Sequence, residues 1–228
     1  GIKKSGHYGL SSFYAEQAVK KNLLVFCFTN APPALAPHGS KKSLFGTNPI
    51  CFGAPTGKVP FILDMSTSLI NRGKIRRAHK LGKKIPFGVA LNKNGIITTN
   101  PKLALMGTQL PIAGVKGSGL AWMVDILSGV ITGSNHSGKV KDPFDDFSGP
   151  QNIGHLFITI NPKIFIGNNY LKEISKLSRV KNHYNLPIPI PFLIGNMCFD
   201  LSKFTLPKLK YDRSKNYCKC GILRFLLR

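Results

Sequence analysis

The chain has 228 residues, of which 43% are hydrophobic and 18% charged. That is enough apolar material for one large domain or two small ones, and it excludes a disordered or fibrous protein. Lys and Arg number 32 against 9 Asp and Glu, a formal charge of +23, so composition alone raises a polyanion as a partner. The basic residues are nevertheless scattered singly or in pairs (Lys20-Lys21, Lys41-Lys42, Arg76-Arg77, Lys83-Lys84) among apolar runs, whereas a nucleic-acid-binding tail concentrates them. Nucleic acid is therefore not the expected partner.

The five cysteines are odd in number, and Cys27 and Cys51 lie inside apolar strand-like runs. Both points favour a reducing compartment, the cytoplasm. Cys218-Lys219-Cys220 has the wrong spacing for a zinc half-site, and no metal is expected. The longest apolar stretch, Gly119 to Gly133, carries Asp125 in its middle and is shorter than the roughly 18 residues a membrane span needs. It reads as a buried core helix, with no membrane partner.

In chain order, Leu10 to Lys21 has apolar residues at helical spacing, and Leu23 to Phe28 is a short apolar run typical of a buried strand. Pro32, Pro33 and Pro37 make a stiff loop. Pro49 to Pro55 and Pro60 to Met65 read as two strands turned at Thr56-Gly57-Lys58. Ser66 to Lys80 is predicted as a helix ended by Gly82, Pro86 and Gly88, and Asn92 to Gly95 as a turn. Gly114-Val-Lys-Gly-Ser-Gly119 forms a glycine-rich entry into the apolar helix, His155 to Pro162 a strand, and Leu171 to Lys181 a short basic helix. Pro187 to Pro191 reads as a linker. Strands joined by connections too short for helical crossovers predict an α+β protein with a mixed sheet and packed helices.

No standard dinucleotide fingerprint is present, because Gly117-Ser-Gly119 lacks the third glycine and the preceding strand. Gly57-Lys58 is followed by Val59, which excludes a P-loop. Among six histidines, His7 stands apart in Ser5-Gly-His-Tyr-Gly9, between glycines and just before a helix.

Ordered blocks then follow one another: Ser5-Gly-His-Tyr-Gly9, Phe28-Thr-Asn30, Phe45-Gly-Thr-Asn-Pro49, Leu63-Asp-Met-Ser-Thr67, Gly73-Lys-Ile75, Thr98-Thr-Asn-Pro101 and Lys116-Gly-Ser-Gly-Leu120. Their order and spacing resemble the second malate/L-lactate dehydrogenase family, which includes ureidoglycolate, sulfolactate and 2,3-diketogulonate-type reductases. The resemblance is strong from residue 5 to about 166 and faint beyond. It implies a non-Rossmann fold that binds NAD or NADP, a small 2-hydroxy or 2-oxo acid of malate, lactate or ureidoglycolate type, and a homodimer whose subunits share the active sites. It places the proton donor and acceptor at His7, and cofactor contacts at Asp64, Met65, Ser66 and Lys116. A group with an ordinary pKa near 6.5 suits the protonation of an alkoxide. A capping role for Asp64 on the helix that follows it stands beside the cofactor role.

The resemblance also carries departures. Ala31 stands where the family commonly has Ser, Val89 replaces an aromatic, and Asn100 replaces an acid. A Pro-Gly-Glu cofactor stretch survives only as Ile194-Gly-Asn196. The expected organisation is a cofactor-binding core over residues 1–166 and a divergent, partly helical region over 167–228, without the family's N-terminal helical domain and its substrate-binding Arg. This pattern reads as a fragment. A degenerate, inactive copy and a basic polyanion-binding protein remain the alternative functions.

Overall fold

The computed structural model describes residues 1–183 except Lys58, Phe144, Asp145 and Phe147, together with residues 192–194 and 197–198. Its strands are β1 (Ile2–Ser5), β2 (Leu24–Thr29), β3 (Ile50–Ala54), β4 (Phe61–Met65), β5 (Ala90–Leu91), β6 (Thr108–Gln109), β7 (Ile153–Ile160), β8 (Phe192–Ile194) and β9 (Met197–Cys198). Its α-helices are α1 (Ser11–Lys20), α2 (Arg72–Lys80), α3 (Pro101–Leu105), α4 (Val115–Asp125), α5 (Lys163–Ile166) and α6 (Tyr170–His183). Seven strands form one sheet in the order β1, β7, β2, β3, β4, β8, β9. Every pairing is antiparallel except β4 with β8. The mixed sheet with packed helices is the architecture that the short connections predict.

The core forms where α1 lies on the sheet. Ala15 of α1 packs with Val25 and Cys27 of β2, Cys51 of β3 and Ile62 of β4, flanked by Tyr14, Ala18 and Phe157. Cys27 and Cys51 are register partners across β2 and β3, and both are free, buried thiols. The Cys27 partner and burial together push the Cys51 thiol well above the ordinary range. A second cluster joins Ile70, Ile75, Ile85, Ala90 and Ala104 beneath α2 and α3.

Two sequence expectations are corrected. The predicted helix from Ser66 begins only at Arg72, where Asn71 caps it by accepting the Lys74 N–H at 2.8 Å. Before that point the chain bends irregularly around a bridge at Ser68, because distant chain satisfies its N–H groups: Thr67 N–H donates to Thr47 O, and Leu69 N–H to Leu110 O. The second correction concerns the apolar helix. It runs as α4 into a π-helical turn at Ile126–Val130, and its buried face is the small and polar one, with Gly117, Ala121, Val124, Asp125 and Ser128. Trp122, Ile126, Val130 and Ile131 are exposed. Asp125 sets this orientation, since its buried carboxylate accepts from Asn30 Nδ2 at 3.3 Å, Ser137 N–H at 2.6 Å and Ser137 Oγ at 3.0 Å.

Candidate active site

Antiparallel pairing gathers the C-terminal ends of β1, β2 and β4 and the N-terminal ends of β3 and β7 at one end of the sheet. His7 stands there just past β1, Asn30 and Ala31 just past β2, Asn48 before β3, and Asp64 to Ser66 at the end of β4. Asn48 ties two of these pieces to α4: its Oδ1 accepts the Ala31 N–H at 3.2 Å, and its Nδ2 donates to the Ala121 carbonyl of α4 at 2.9 Å.

His7 lies at the surface. Its Nδ1 accepts the Gly9 N–H at 3.1 Å, so the neutral ring carries its proton on Nε2. The protein around the ring desolvates it and holds its pKa below the ordinary 6.5. Tyr8 points the other way. Its ring stacks on His155 at 4.5 Å and on Tyr14 at 4.9 Å, its hydroxyl lies 2.6 Å from Ser11 Oγ, and Tyr14 OH donates to its carbonyl at 3.1 Å. Burial pushes the Tyr8 hydroxyl pKa up.

Asp64 is 8% exposed. Its Oδ2 accepts the Ser12 N–H at 2.8 Å, which caps the start of α1. The capping role expected of Asp64 is thus real but falls on a different helix, because Asn71 already serves the helix that follows. Burial raises the Asp64 pKa, and hydrogen bonds from Ser12 oppose that shift. Met65 and Ser66 are half-buried at the strand end, and Ser66 Oγ donates to Ser68 O at 3.0 Å.

Lys116 is exposed in the first turn of α4. The chain just past Ser66 pairs with the chain just before α4, since Ile112 N–H donates to Thr67 O at 2.9 Å and Ser68 bridges Pro111. Gly114 caps α4 without a side-chain hydrogen bond, and no acidic residue stands in its first turn. That leaves an electropositive helix start beside a lysine. Beside it, Pro37, His38, Ser118, Gly119, Trp122 and Ile126 border an open groove of about 590 Å³. No hydrogen bond or ion pair joins His7 to Lys116 among the described residues; the sheet connects them.

The chain is similar to known proteins in sequence and in fold. Residues 1–183 match the malate/L-lactate dehydrogenase family. The chain belongs to that family. It is 37% identical to the (2R)-3-sulfolactate dehydrogenase (NADP(+)) of Chromohalobacter salexigens over 177 residues, 77% of this chain and 53% of that protein. It is 34% identical to the ureidoglycolate dehydrogenase (NAD(+)) of Escherichia coli, over 84% of this chain and 54% of that one. The solved structure of a dehydrogenase from Sinorhizobium meliloti superposes with a TM-score of 0.77 at 31% identity, covering 83% of this chain and 57% of that chain. The chain spans about half the length of these family members.

Four side chains around the family's His block were not singled out by their sequence: Tyr8, Ser12, Thr29 and His155. Tyr8 and Thr29 lie inside family blocks, and His155 lies in a strand that alternation detects. Their partnership is formed only by folding. Among the described residues no three metal-ligating side chains come together, and no helix is long and apolar enough to cross a membrane. Cys218, Cys220, the Pro187 to Pro191 segment and Gly195-Asn196 lie outside the described residues.

Proposed function

We propose that the chain is the cofactor-binding part of an NAD(P)-dependent oxidoreductase that moves hydride between a nicotinamide and a small 2-hydroxy or 2-oxo acid. The observation that carries this reading is the meeting of the His7 block and the Asp64 to Ser66 segment at one end of the sheet, with Thr67 and Ser68 paired to the chain that leads into α4 and Lys116. The names of the two relatives support both cofactors and small hydroxy acids as the chemistry. The chain's antiparallel sheet, with one parallel pair, favours a non-Rossmann cofactor fold over residues 1–166.

The residues fit such a cofactor. The uncapped start of α4 and the Lys116 ammonium suit phosphate, and Gly119 leaves open space where a Cβ would meet no atom within 4 Å. Lys116 would hold the phosphates, and the strand end at Met65 and Ser66 would lie along the cofactor, with Asp64 fixing it from beneath. The nicotinamide supplies or accepts the hydride. His7 then serves the substrate oxygen: in reduction the doubly protonated ring, with Nδ1–H turned off the Gly9 N–H, would give its Nε2 proton to the oxygen as the hydride reaches the carbon, leaving a neutral ring and a hydroxyl. In oxidation Nε2 must take the hydroxyl proton, which requires Nδ1 to hold the other proton and release Gly9. Proton transfer is in this way tied to the His7–Gly9 contact.

A homodimer accounts for the exposed apolar row Trp122, Ile126 and Val130 on α4 and its π-turn. A cytoplasmic setting fits Cys27 and Cys51, which face each other as thiols. Titration of the chain with NADH, followed by the dinucleotide's own fluorescence, tests the reading. Binding is expected, and Lys116→Ala should weaken it about tenfold, the loss of one charge-assisted contact. Equal binding by parent and Lys116→Ala removes Lys116 from the site; no binding by the parent refutes the reading.

A further inference from the structure

His7 is held between Gly6 and Gly9, so its own backbone offers little to fix the ring. The anchor of this loop is Tyr8, whose ring lies between two others. On one side is Tyr14, at 4.9 Å and 15°. On the other is His155, at 4.5 Å and 10°. His155 is the immobile member of the stack. It is 1% exposed, it sits in β7 opposite both β1 and β2, with register partners Ile2 and Thr29, and its Nδ1 lies 2.8 Å from Thr29 Oγ1. The Thr29 hydroxyl has carbonyl acceptors of its own in Asn30 at 3.1 Å and Gly154 at 3.3 Å. A hydroxyl that donates to a carbonyl leaves its oxygen to accept, which assigns the His155 proton to Nδ1. Its Nε2 is buried without a hydrogen-bond partner. Burial lowers the pKa of the ring, the Gly6 backbone opposes that shift and the His7 ring adds to it, so the loop that carries His7 acts on this ring.

We infer that His155 is a positioning residue for His7: pinned by Thr29, it is the wall against which Tyr8 stacks, and the stacked Tyr8 turns His7 outward with Nδ1 on the Gly9 N–H. This inference rests on the proposed role of His7. A buried imidazole with one satisfied nitrogen costs free energy that a leucine at the same place would not. Filling β7 against the core does not require it. A flat ring at this place is what the stack requires.

The test uses the full chain with ¹⁵N-labelled histidine and glycine. In His155→Leu the planar wall is lost, so the Gly9 amide should exchange about tenfold faster and the His7 nitrogens should move from the pattern of one tautomer to averaged values. His155→Phe, which can still stack on Tyr8, should restore the parent pattern at both residues. Tyr8→Leu, with His155 intact, should reproduce the His155→Leu result and serves as the second route if His155→Leu fails to fold. Parent-like His7 and Gly9 signals in a folded leucine variant at either position overturn the inference, as does a folded His155→Phe that resembles His155→Leu. NADH binding is measured separately: its absence from the parent refutes the dehydrogenase reading and leaves the NMR comparison of the loop standing.

Discussion

Asp64 and Ser12 are 52 positions apart, yet the Asp64 carboxylate accepts the Ser12 backbone N–H at 2.8 Å. The end of β4 and the start of α1 are locked together by that bond. Asp64→Ala leaves a helix-start N–H without its acceptor inside the protein and should cost roughly 1–3 kcal/mol. Asp64→Asn keeps an acceptor oxygen and discards a buried charge. Because burial raises the pKa above its ordinary 3.8, the folded state binds this proton more tightly than the unfolded state. The group's favourable contribution is present below 3.8 and is lost as the pH rises through the folded value. Urea melts at pH 7 should place Asp64→Asn at or above the parent and Asp64→Ala below it; an Asn variant less stable than the Ala variant defeats the capping account.

Two histidines at the site titrate in the opposite sense. Burial and local desolvation lower the pKa of both His7 and His155 below 6.5, so the unfolded chain takes up these protons first. Their contribution to stability is complete above 6.5 and is lost as the pH falls through the folded values. Denaturant midpoints measured from pH 8 to pH 5 should decline, and the decline should be shallower in His155→Phe. Parallel curves for the two proteins would show that His155 does not titrate with folding.

Close backbone approach makes three glycines unequal. A Cβ on Gly154 would collide with the Ser128 carbonyl, and one on Gly117 with the Ile112 carbonyl, whereas at Gly119 it would meet nothing. Alanine at either crowded position should cost about 3 kcal/mol or more. At Gly119, inside α4, alanine should stabilise by up to about 1 kcal/mol through helix propensity. Thermal melts of the three variants give the ranking directly.

His7→Ala should leave NADH binding by the chain within about threefold, because the ring serves the substrate oxygen and not the dinucleotide. In a fusion that supplies the part of a relative's length this chain does not span, the same change should lower turnover by roughly 10² to 10⁴. Undiminished turnover in that fusion would take the proton role away from His7.

The sequence made β2, β3, β4, α1 and α6 legible, because each shows its period or its apolar run within a few residues. It misplaced the start of α2. Ser66 to Asn71 has helix-compatible residues, but Thr47 and Leu110, far along the chain, claim its N–H groups. β1 carries Lys3 and Lys4 at the sheet edge, so no apolar alternation marks it. For the site, the family blocks pointed to His7, the Asp64 to Ser66 segment and Lys116 one by one. The Tyr14–Tyr8–His155 stack, with Thr29 bonded to His155, joins α1, β2, β7 and the loop after β1, and no local pattern encodes such a meeting.

Trp122 is the single tryptophan of the chain, and it is 56% exposed beside the groove, tilted against Phe45 at 5.3 Å. In a lone chain its indole is therefore more than half wet. Intrinsic emission of the lone chain will change little on melting and will shift to the blue when a second copy or another partner covers α4. In this molecule the customary optical probe of unfolding is instead a probe of what settles on one helix.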